Sequence, residues 1–365
     1  MEKINLLFFS SDYKIGLAFT ITGQAESIFK LSNVNLICVS GEKEQEKGLS
    51  LKYDKLEIPL IRINGLDEHR NFYHLANELC SIINEKEIQI VHIHNNWQLA
   101  LVSYIKFIKR KNIKIIYSIH GYRHNNKFKA FFARRIIGLA LLLFADLVLA
   151  GSTSLKKAIP FIKRKCHLMF QGVEDELFKN RPNFNFNDTL NIVFVGQFRK
   201  GKNQELLIKT LYKYSVLTGD FNYILHLAGK GELKNDCEML VKKLNFSNNV
   251  IFHGQLTRTN LFELYEKCQI SIIPTNSETF GYCIAEPYVA GLCVISRRTG
   301  IANDIIEDGK NGLLFDDFNE LTDLLTTYLP DQKKLKLMAE KSFSGHEVLR
   351  WKNITNQYNK ILSII

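Results

Sequence analysis

The sequence predicts an α/β protein built from two doubly wound domains, and three observations predict it. Short β-branched, apolar runs recur along the chain, amphipathic stretches separate them, and one polar, aperiodic segment, "KNRPNFNFNDT" at residues 179–189, interrupts the alternation. Apolar strands separated by helices specify a parallel sheet covered on both faces. The length of 365 residues exceeds what one core usually holds and suits two domains of roughly 150–200 residues.

In the first half, "INLLFFS", "VNLICVS", "IQIVHIH", "IKIIYSIH", "DLVLAGS" and "CHLMF" read as strands, with "FYHLANELCSII", "WQLALVSYIKFIKR" and "FFARRIIGLALLLFA" as the helices between them. After the interruption the pattern restarts. "LNIVFVG", "NYILHLAG", "VIFHG", "ISIIPT", "CVIS" and "GLLF" alternate with "NQELLIKTLYKYSV", "ELKNDCEMLVKKL", "LFELYEKC" and "FNELTDLLTTYL". This places one domain at residues 1–180 and a second at 190–346. The final "EVLRWKNITNQYNKILSII", residues 347–365, has helical spacing with no strand after it, and is expected to cross back onto the first domain.

Composition narrows the function classes. The opening "MEKINLLFFSSDYK" turns polar after one strand's length, unlike a secretory leader, which predicts a cytoplasmic protein. The longest apolar run, "IIGLALLLFADLVLA" at residues 136–150, is interrupted by Asp146 and is shorter than the roughly 20 residues that span a bilayer; it reads as a buried helix ending near Ala145, then a strand. Seven cysteines without a C-x-x-C pair suit a reducing compartment and argue against a disulfide framework or a zinc ribbon. All seven read as small core residues.

The net charge of +11 is uneven: residues 1–170 carry 25 Lys/Arg against 14 Asp/Glu, and residues 171–365 carry 23 of each. Residues 106–135 hold ten basic residues and no acidic one, interleaved with Phe107, Tyr117, Tyr122, Phe128, Phe131 and Phe132. Such a patch suits nucleic acid, an anionic membrane surface or an acidic substrate, and the plainer reading is a solvated helix face.

In open parallel sheets, ligands bind beyond the carboxyl ends of the strands, where loops lead into helix N-termini. Residues 196–203 bring Arg199, Lys200 and Lys202 to such an end with two glycines, a composition suited to a diphosphate. Gly196 and Gly201 have the spacing of a P-loop, but Asn203 stands where that motif needs a hydroxyl, which argues against an NTPase. No G-x-G-x-x-G follows the first strand and no D-x-D pair occurs. His92 and His94 lack an evident third ligand, so no metal site and no cofactor are predicted. His120 precedes Gly121 at a strand's carboxyl end. In "NSETFGYCIAEPYVAG", residues 276–291, Glu278 and Glu286 flank an apolar segment; if Gly281 starts a helix, both carboxylates lie near its N-terminus, as capping residues or as ligand contacts.

A glycine-containing loop after the first strand, H-G after a mid-domain strand, a K-N-Q loop opening the second domain, and E-x7-E followed by "GLCVISRRTG" together resemble the retaining nucleotide-sugar glycosyltransferases of family 4, which have the GT-B fold. The resemblance covers nearly the whole chain and is densest over residues 190–315. It implies two Rossmann-like domains facing across a cleft, an N-terminal acceptor-binding domain and a C-terminal donor-binding domain. Transferred residue by residue, it implies that Glu286 holds the ribose hydroxyls and that Glu278 approaches hydroxyls of the donor sugar, with the N–H groups of Phe280 and Gly281 nearby. Ile284 lies on the same donor segment. Lys202 neutralises the diphosphate and His120 sits beside the transferring sugar. Gly16 and Gly196 match phosphate-side glycines.

This sequence departs from the family's pattern at several places. Gln197 stands where Arg is usual, and Arg199 is the substitute; the common Gly-Gly pair is reduced to Gly16; Gln171 and Glu174 replace Asn and Asp; and Pro287 follows Glu286 where Ala is common. Because Pro lacks a backbone donor, a kinked or late helix is expected there. The resulting expectation is a retaining transferase that moves a sugar from a nucleotide diphosphate to a saccharide or lipid-linked saccharide in surface polysaccharide synthesis. Its basic half would rest on an anionic membrane surface, at the inner face of the cell membrane, without nucleic acid as a partner. The alternatives are a nucleotide-sugar hydrolase or epimerase of the same fold, and a basic nucleic-acid-binding protein that would leave the paired glutamates idle.

Overall fold

The computed structural model describes residues 3–10, 15–41, 53–66, 71–121, 127–179, 182–186 and 189–365. They form two compact units, one of residues 1–172 together with 351–365, the other of residues 173–350.

The first unit runs β1 (Ile4–Phe9), α1 (Ile15–Phe29), β2 (Val34–Gly41), β3 (Leu60–Ile63), α2 (Phe72–Glu85), β4 (Ile90–Ile93), α3 (Asn96–Phe107), β5 (Lys114–Ile119), α4 (Lys127–Phe144), β6 (Leu147–Ala150), α5 (Thr153–Ala158) and β7 (Cys166–Leu168). Its strands lie in the order β3-β2-β1-β4-β5-β6-β7, and every pairing is parallel. The strands β4 and β6 are buried at all positions, as strands covered on both faces by helices must be, and in β4 this includes His92. Leu75, Ala76, Leu79, Ile82 and Ile83 form the buried stripe of α2, and the Asn95 side chain caps α3 by accepting from the Gln98 N–H at 2.8 Å.

One expectation about this unit is corrected. The helix α4 ends at Phe144 and gives way to β6, but it is not a buried helix. Leu141 and Gly138 face inward, while Ile136, Leu139, Leu142 and Leu143 are exposed. The apolar run is therefore longer than the core-facing stripe requires.

The second unit runs β8 (Leu190–Val195), α6 (Gln204–Thr218), β9 (Tyr223–Ala228), α7 (Lys234–Lys243), β10 (Val250–Gly254), α8 (Arg258–Lys267), β11 (Ile270–Ile273), α9 (Tyr282–Val289), β12 (Cys293–Arg297), α10 (Ala302–Ile305), β13 (Leu313–Phe315), α11 (Phe318–Tyr328) and α12 (Gln332–Ser344). The sheet order is β10-β9-β8-β11-β12-β13, again parallel throughout. Residues 173–179 belong to this unit because they pack on it. The Val173 N–H donates to the Leu349 carbonyl at 3.0 Å, and the Arg350 guanidinium lies 4.0 Å above the Phe178 ring.

The last helix, α13 (Trp351–Leu362), returns to the first unit. Its buried Ile354, Tyr358, Ile361 and Leu362 join the cluster that holds Leu6, Phe8, Leu36 and Cys38. The Trp351 ring lies so close to Gly23 and Gly172 that a Cβ at either would sit 2.3 Å from it, so only glycine admits the indole there.

Both sheets reverse direction of winding once, between β1 and β4 and between β8 and β11. The carboxyl ends of the strands at such a reversal are where open parallel sheets place their ligands. The helix α9 starts at Tyr282 and continues through Pro287 to Val289, so the late start expected from the proline does not occur.

Candidate functional site

At the reversal point of the second sheet, the loop after β8 and the loop after β11 are tied together by their own backbone and amide groups. The Asn276 N–H donates to the Gly201 carbonyl at 2.9 Å. The Asn203 side-chain amide donates to the Pro274 carbonyl and to Asn276 Oδ1, both at 2.7 Å. Asn203 holds a left-handed φ of 61°, a conformation asparagine tolerates better than most residues, and this turns the chain into α6 directly after Lys202.

Lys202 is only 8 % exposed and its ammonium is bonded to Glu278 Oε1 across the two loops. Glu278 is oriented in turn: its N–H donates to Thr299 Oγ1 at 2.8 Å, and the Cys283 thiol reaches Glu278 Oε1 at 3.5 Å. Burial pulls the Lys202 ammonium down, but the Cys283 sulfur and the Glu278 carboxylate more than offset it, so its net shift is upward. The lysine is charged at neutral pH.

Behind this pair, the chain from Phe280 to Gly281 is held from below. Ile301 donates its N–H to the Phe280 carbonyl at 2.7 Å, and a Cβ on Gly300 would meet that carbonyl at 2.3 Å. Gly281, at φ 100°, sits as the N-cap of α9, which leaves the first N–H groups of the helix without intrahelical partners. Phe280 and Ile284 are buried beneath.

One and a half turns along α9, Glu286 is 5 % exposed. Its Oε1 accepts from Arg258 Nη2 at 2.8 Å and its Oε2 from the Tyr265 hydroxyl at 3.2 Å. The same guanidinium donates through Nε to Glu174 Oε2 at 3.1 Å and lies 4.8 Å above the Phe262 ring. Burial pushes Glu286 above the usual carboxylate range and Arg258 pulls it only part of the way back. A carboxylate offers about four acceptor positions, so each Glu286 oxygen keeps a further lone pair beyond these two bonds.

In the first unit, His92 lies within β4, and His94 and His120 directly follow β4 and β5. His94 Nδ1 lies 2.9 Å from His120 Nε2. His92 is bonded on both ring nitrogens, to Tyr358 at 2.8 Å and to Ser118 at 2.7 Å. Burial lowers His92 to about 3 and His120 to about 4, and His94 falls well below its ordinary value, so all three rings are neutral at pH 7. Gly16 stands in the first turn of α1. Tyr122 and the rest of residues 122–126 in the basic, aromatic patch lie outside the described residues. Among the described residues no group of three or more His, Cys, Asp or Glu is arranged to hold a metal ion, and no helix is long and apolar enough to cross a membrane.

Two family profiles match the chain and meet at residue 176: "Glycosyltransferase Family 4" over residues 32–176 and "Glycosyl transferases group 1" over residues 176–344. The chain belongs to the group 1, family 4 glycosyltransferases. The glycosyltransferase is 24 % identical over 311 residues to an uncharacterised glycosyltransferase of Methanocaldococcus jannaschii, which covers 83 % of this chain and 82 % of that one. Among solved structures, Anabaena HepE in complex with UDP superposes with a TM-score of 0.79 at 18 % identity, covering 99 % and 100 % of the two chains. The lipopolysaccharide outer core galactosyltransferase WaaB in its apo form superposes with a TM-score of 0.80 at 16 % identity, covering the same shares. Both likenesses establish the GT-B fold.

Within the second unit of the glycosyltransferase, Gly196, Lys202, Glu278, Phe280, Gly281, Ile284 and Glu286 all lie on the loops and helix at the sheet's reversal. Arg199 is on the same loop, its carbonyl accepting from the Lys202 N–H at 3.1 Å, while Gln197 and Lys200 are exposed. His120 stands in the other unit. Four contact residues escaped the sequence reading: Arg258, Tyr265, Thr299 and Cys283. Cys283, grouped there with the core cysteines, touches the Glu278 carboxylate. Arg258 alone carried a usable signal, because it follows the strand end "VIFHG" at the start of a helix.

Proposed function

We propose that the enzyme transfers a sugar from a nucleotide-diphosphate donor to a saccharide or lipid-linked saccharide acceptor, with retention at the anomeric carbon, in polysaccharide synthesis. The observation that carries this reading is the Lys202–Glu278 pair at the reversal of the second sheet, with Glu286 one and a half turns along the helix that starts beside it. UDP is present in the HepE complex and WaaB is a lipopolysaccharide galactosyltransferase by name, which supports a nucleotide-sugar donor and a saccharide acceptor.

Each residue then has a defined task. Glu286 accepts from the ribose hydroxyls through the lone pairs that Arg258 and Tyr265 leave. Without donor, Lys202 and Glu278 neutralise each other; a diphosphate competes for the ammonium and releases Glu278 to accept from hydroxyls of the sugar. Charge that develops on the departing β-phosphate is stabilised by Lys202, by Arg199 and by the N–H groups of Phe280 and Gly281, with Gly196 and Gly16 allowing close approach of the phosphates. Ile284 packs the helix under that site. His120, kept neutral by burial, sits beside the transferring sugar as a hydrogen-bonding partner. The nucleophile is the acceptor hydroxyl, entering on the face from which the nucleotide leaves.

The N-terminal domain binds the acceptor in this reading. Its excess of basic residues rests on an anionic membrane surface, at the cytoplasmic face where lipid-linked saccharides are extended.

A thermal-shift screen against UDP, GDP, ADP, CMP and their common sugars tests the donor site. Native-state ligands raise apparent stability with the logarithm of concentration over affinity. One diphosphate is expected to stabilise the wild type, with the shift lost in Glu286→Ala. A wild type indifferent to every nucleotide would return Glu286 to the status of a buried structural carboxylate.

A further inference from the structure

The outer side of α4 is apolar where the fold gives it nothing to cover. Ile136, Leu139, Leu142 and Leu143 are exposed at 68 %, 50 %, 37 % and 59 %, and Phe131 and Phe132 at about half their surface one turn earlier. Phe132, Ile136, Leu139 and Leu143 repeat at intervals of four, three and four, so they form one continuous stripe. Over the thirteen steps from Phe131 to Phe144 the stripe is about 20 Å long. Phe107, at the end of α3, extends it through an edge contact with Phe144 at 5.8 Å.

The opposite side of α4 is fully occupied. Leu141 is buried in the core cluster, with Ile137 and Ala140 packed against it, and a Cβ on Gly138 would lie 2.4 Å from the Pro160 carbonyl. The helix cannot rotate to bury the stripe without breaking that seam. An exposed apolar surface of this extent marks an interaction site rather than scattered surface residues.

The segment that carries the stripe is almost wholly basic. Residues 106–165 contain fifteen Lys/Arg, and Asp146 is the sole acidic residue among them. Asp146 is consumed internally, bonded to Lys106 at 2.5 Å and to the Ile115 N–H at 2.7 Å. The Arg135 guanidinium lies 3.6 Å from the centre of the Phe131 ring, so a positive charge sits directly against the aromatic surface of the stripe. A second copy of this surface would repel the first, whereas an anionic lipid layer complements both the charge and the apolar stripe.

We infer that α4 lies in the plane of an anionic membrane with its Phe132–Ile136–Leu139–Leu143 face immersed below the headgroups. This rests on the membrane reading above and adds to it an apolar insertion by one helix, where charge alone would give only adsorption. Adsorption is screened by salt, and insertion is not.

The test is sedimentation of the full chain with vesicles of phosphatidylcholine containing phosphatidylglycerol, at 0.1 M and 0.5 M NaCl. The wild type is expected to keep vesicle binding within about threefold across that range, and L139D/L143D to lower it about a hundredfold, since two immersed leucines are lost and two charges must enter the interface. Leu139→Trp checks the geometry without adding charge, by a blue shift of its emission on vesicle addition, read against the wild type. If wild type and L139D/L143D bind equally and both release at 0.5 M NaCl, insertion is overturned while adsorption stands. If neither binds any vesicle, the membrane reading falls with it. A wild type that is dimeric beside a monomeric L139D/L143D would assign the stripe to a subunit interface and overturn the proposal.

Discussion

Replacing Lys202 by Met and Glu278 by Gln, singly and together, separates what this pair contributes to the fold from what each member contributes to donor binding. Two unit charges at hydrogen-bond distance, about 3 Å, attract by about 5 kcal/mol at an effective dielectric near 20. The side chains are 10 % and 16 % exposed, so much of that attraction is offset by lost hydration, and a coupling of about 1–3 kcal/mol should remain. Each single variant leaves one sparsely hydrated charge without its partner and is expected to lose about 1–3 kcal/mol in urea unfolding. The double variant should lose less than the sum. Ligands then divide the roles: Lys202→Met should abolish the thermal shift given by the nucleoside diphosphate while retaining the smaller shift of the nucleoside monophosphate. Glu278→Gln should retain the diphosphate shift and lose the increment added by the sugar. Additive single losses, or an unchanged diphosphate shift in Lys202→Met, would refute the account of Lys202 as a cation shared between carboxylate and phosphate.

Arg258→Met removes the guanidinium that Glu286 shares with Glu174 and is expected to cost about 1–3 kcal/mol, the lower part of the range for a broken buried pair because Arg258 is itself half-exposed; urea unfolding reads it, and Arg258→Met/Glu286→Gln should recover part of the loss. Gly300→Ala forces a Cβ against the Phe280 carbonyl at φ 52° and should lower stability by about 2 kcal/mol or more, with a matching loss of nucleotide-induced shift because the start of α9 is displaced. For pH, His92 and His120 are lowered to about 3 and about 4 by burial, so the unfolded chain takes up their protons first. Stability should be level above pH 6.5 and fall below it by up to about 1.4 kcal/mol per pH unit for each neutral ring, until the folded-state values are reached. His92→Asn should flatten that slope in an unfolding series from pH 7 to pH 4.

Much of this architecture is written locally. The strand "IQIVHIH" and its counterpart "ISIIPT" are largely apolar because both faces of a parallel sheet are covered, and the loops after them stand out by composition. Where the local signal weakens, the reading does too. The strand β3 has only "LIRI" and one neighbour, so nothing but pairing with β2 defines it. The helix α1 has no clear signal in the sequence because Thr20, Ile21, Thr22 and Gly23 fall in its middle, residues with poor helix propensity that tertiary contact overrides. The partners of the site residues were hidden for a different reason. Arg258 and Glu286 are 28 positions apart, Lys202 and Glu278 are 76 apart, and no periodicity spans such gaps; only the sheet order brings them together. The stripe on α4 shows the same limit in reverse, since hydrophobicity alone does not say which apolar residues the core will use.

The indole of Trp351 fills a space that Gly23 and Gly172 keep open, and the helix behind it carries four core side chains into a unit whose other residues precede 173. During synthesis, the first unit is therefore complete in sequence only after all of the second has emerged. The second unit has its whole complement of strands before that moment and is free to fold first. Leu6, Phe8 and Leu36 therefore gain their last covering helix only after the sequence of the second unit has been made, and the closing of the first core depends on the end of the chain.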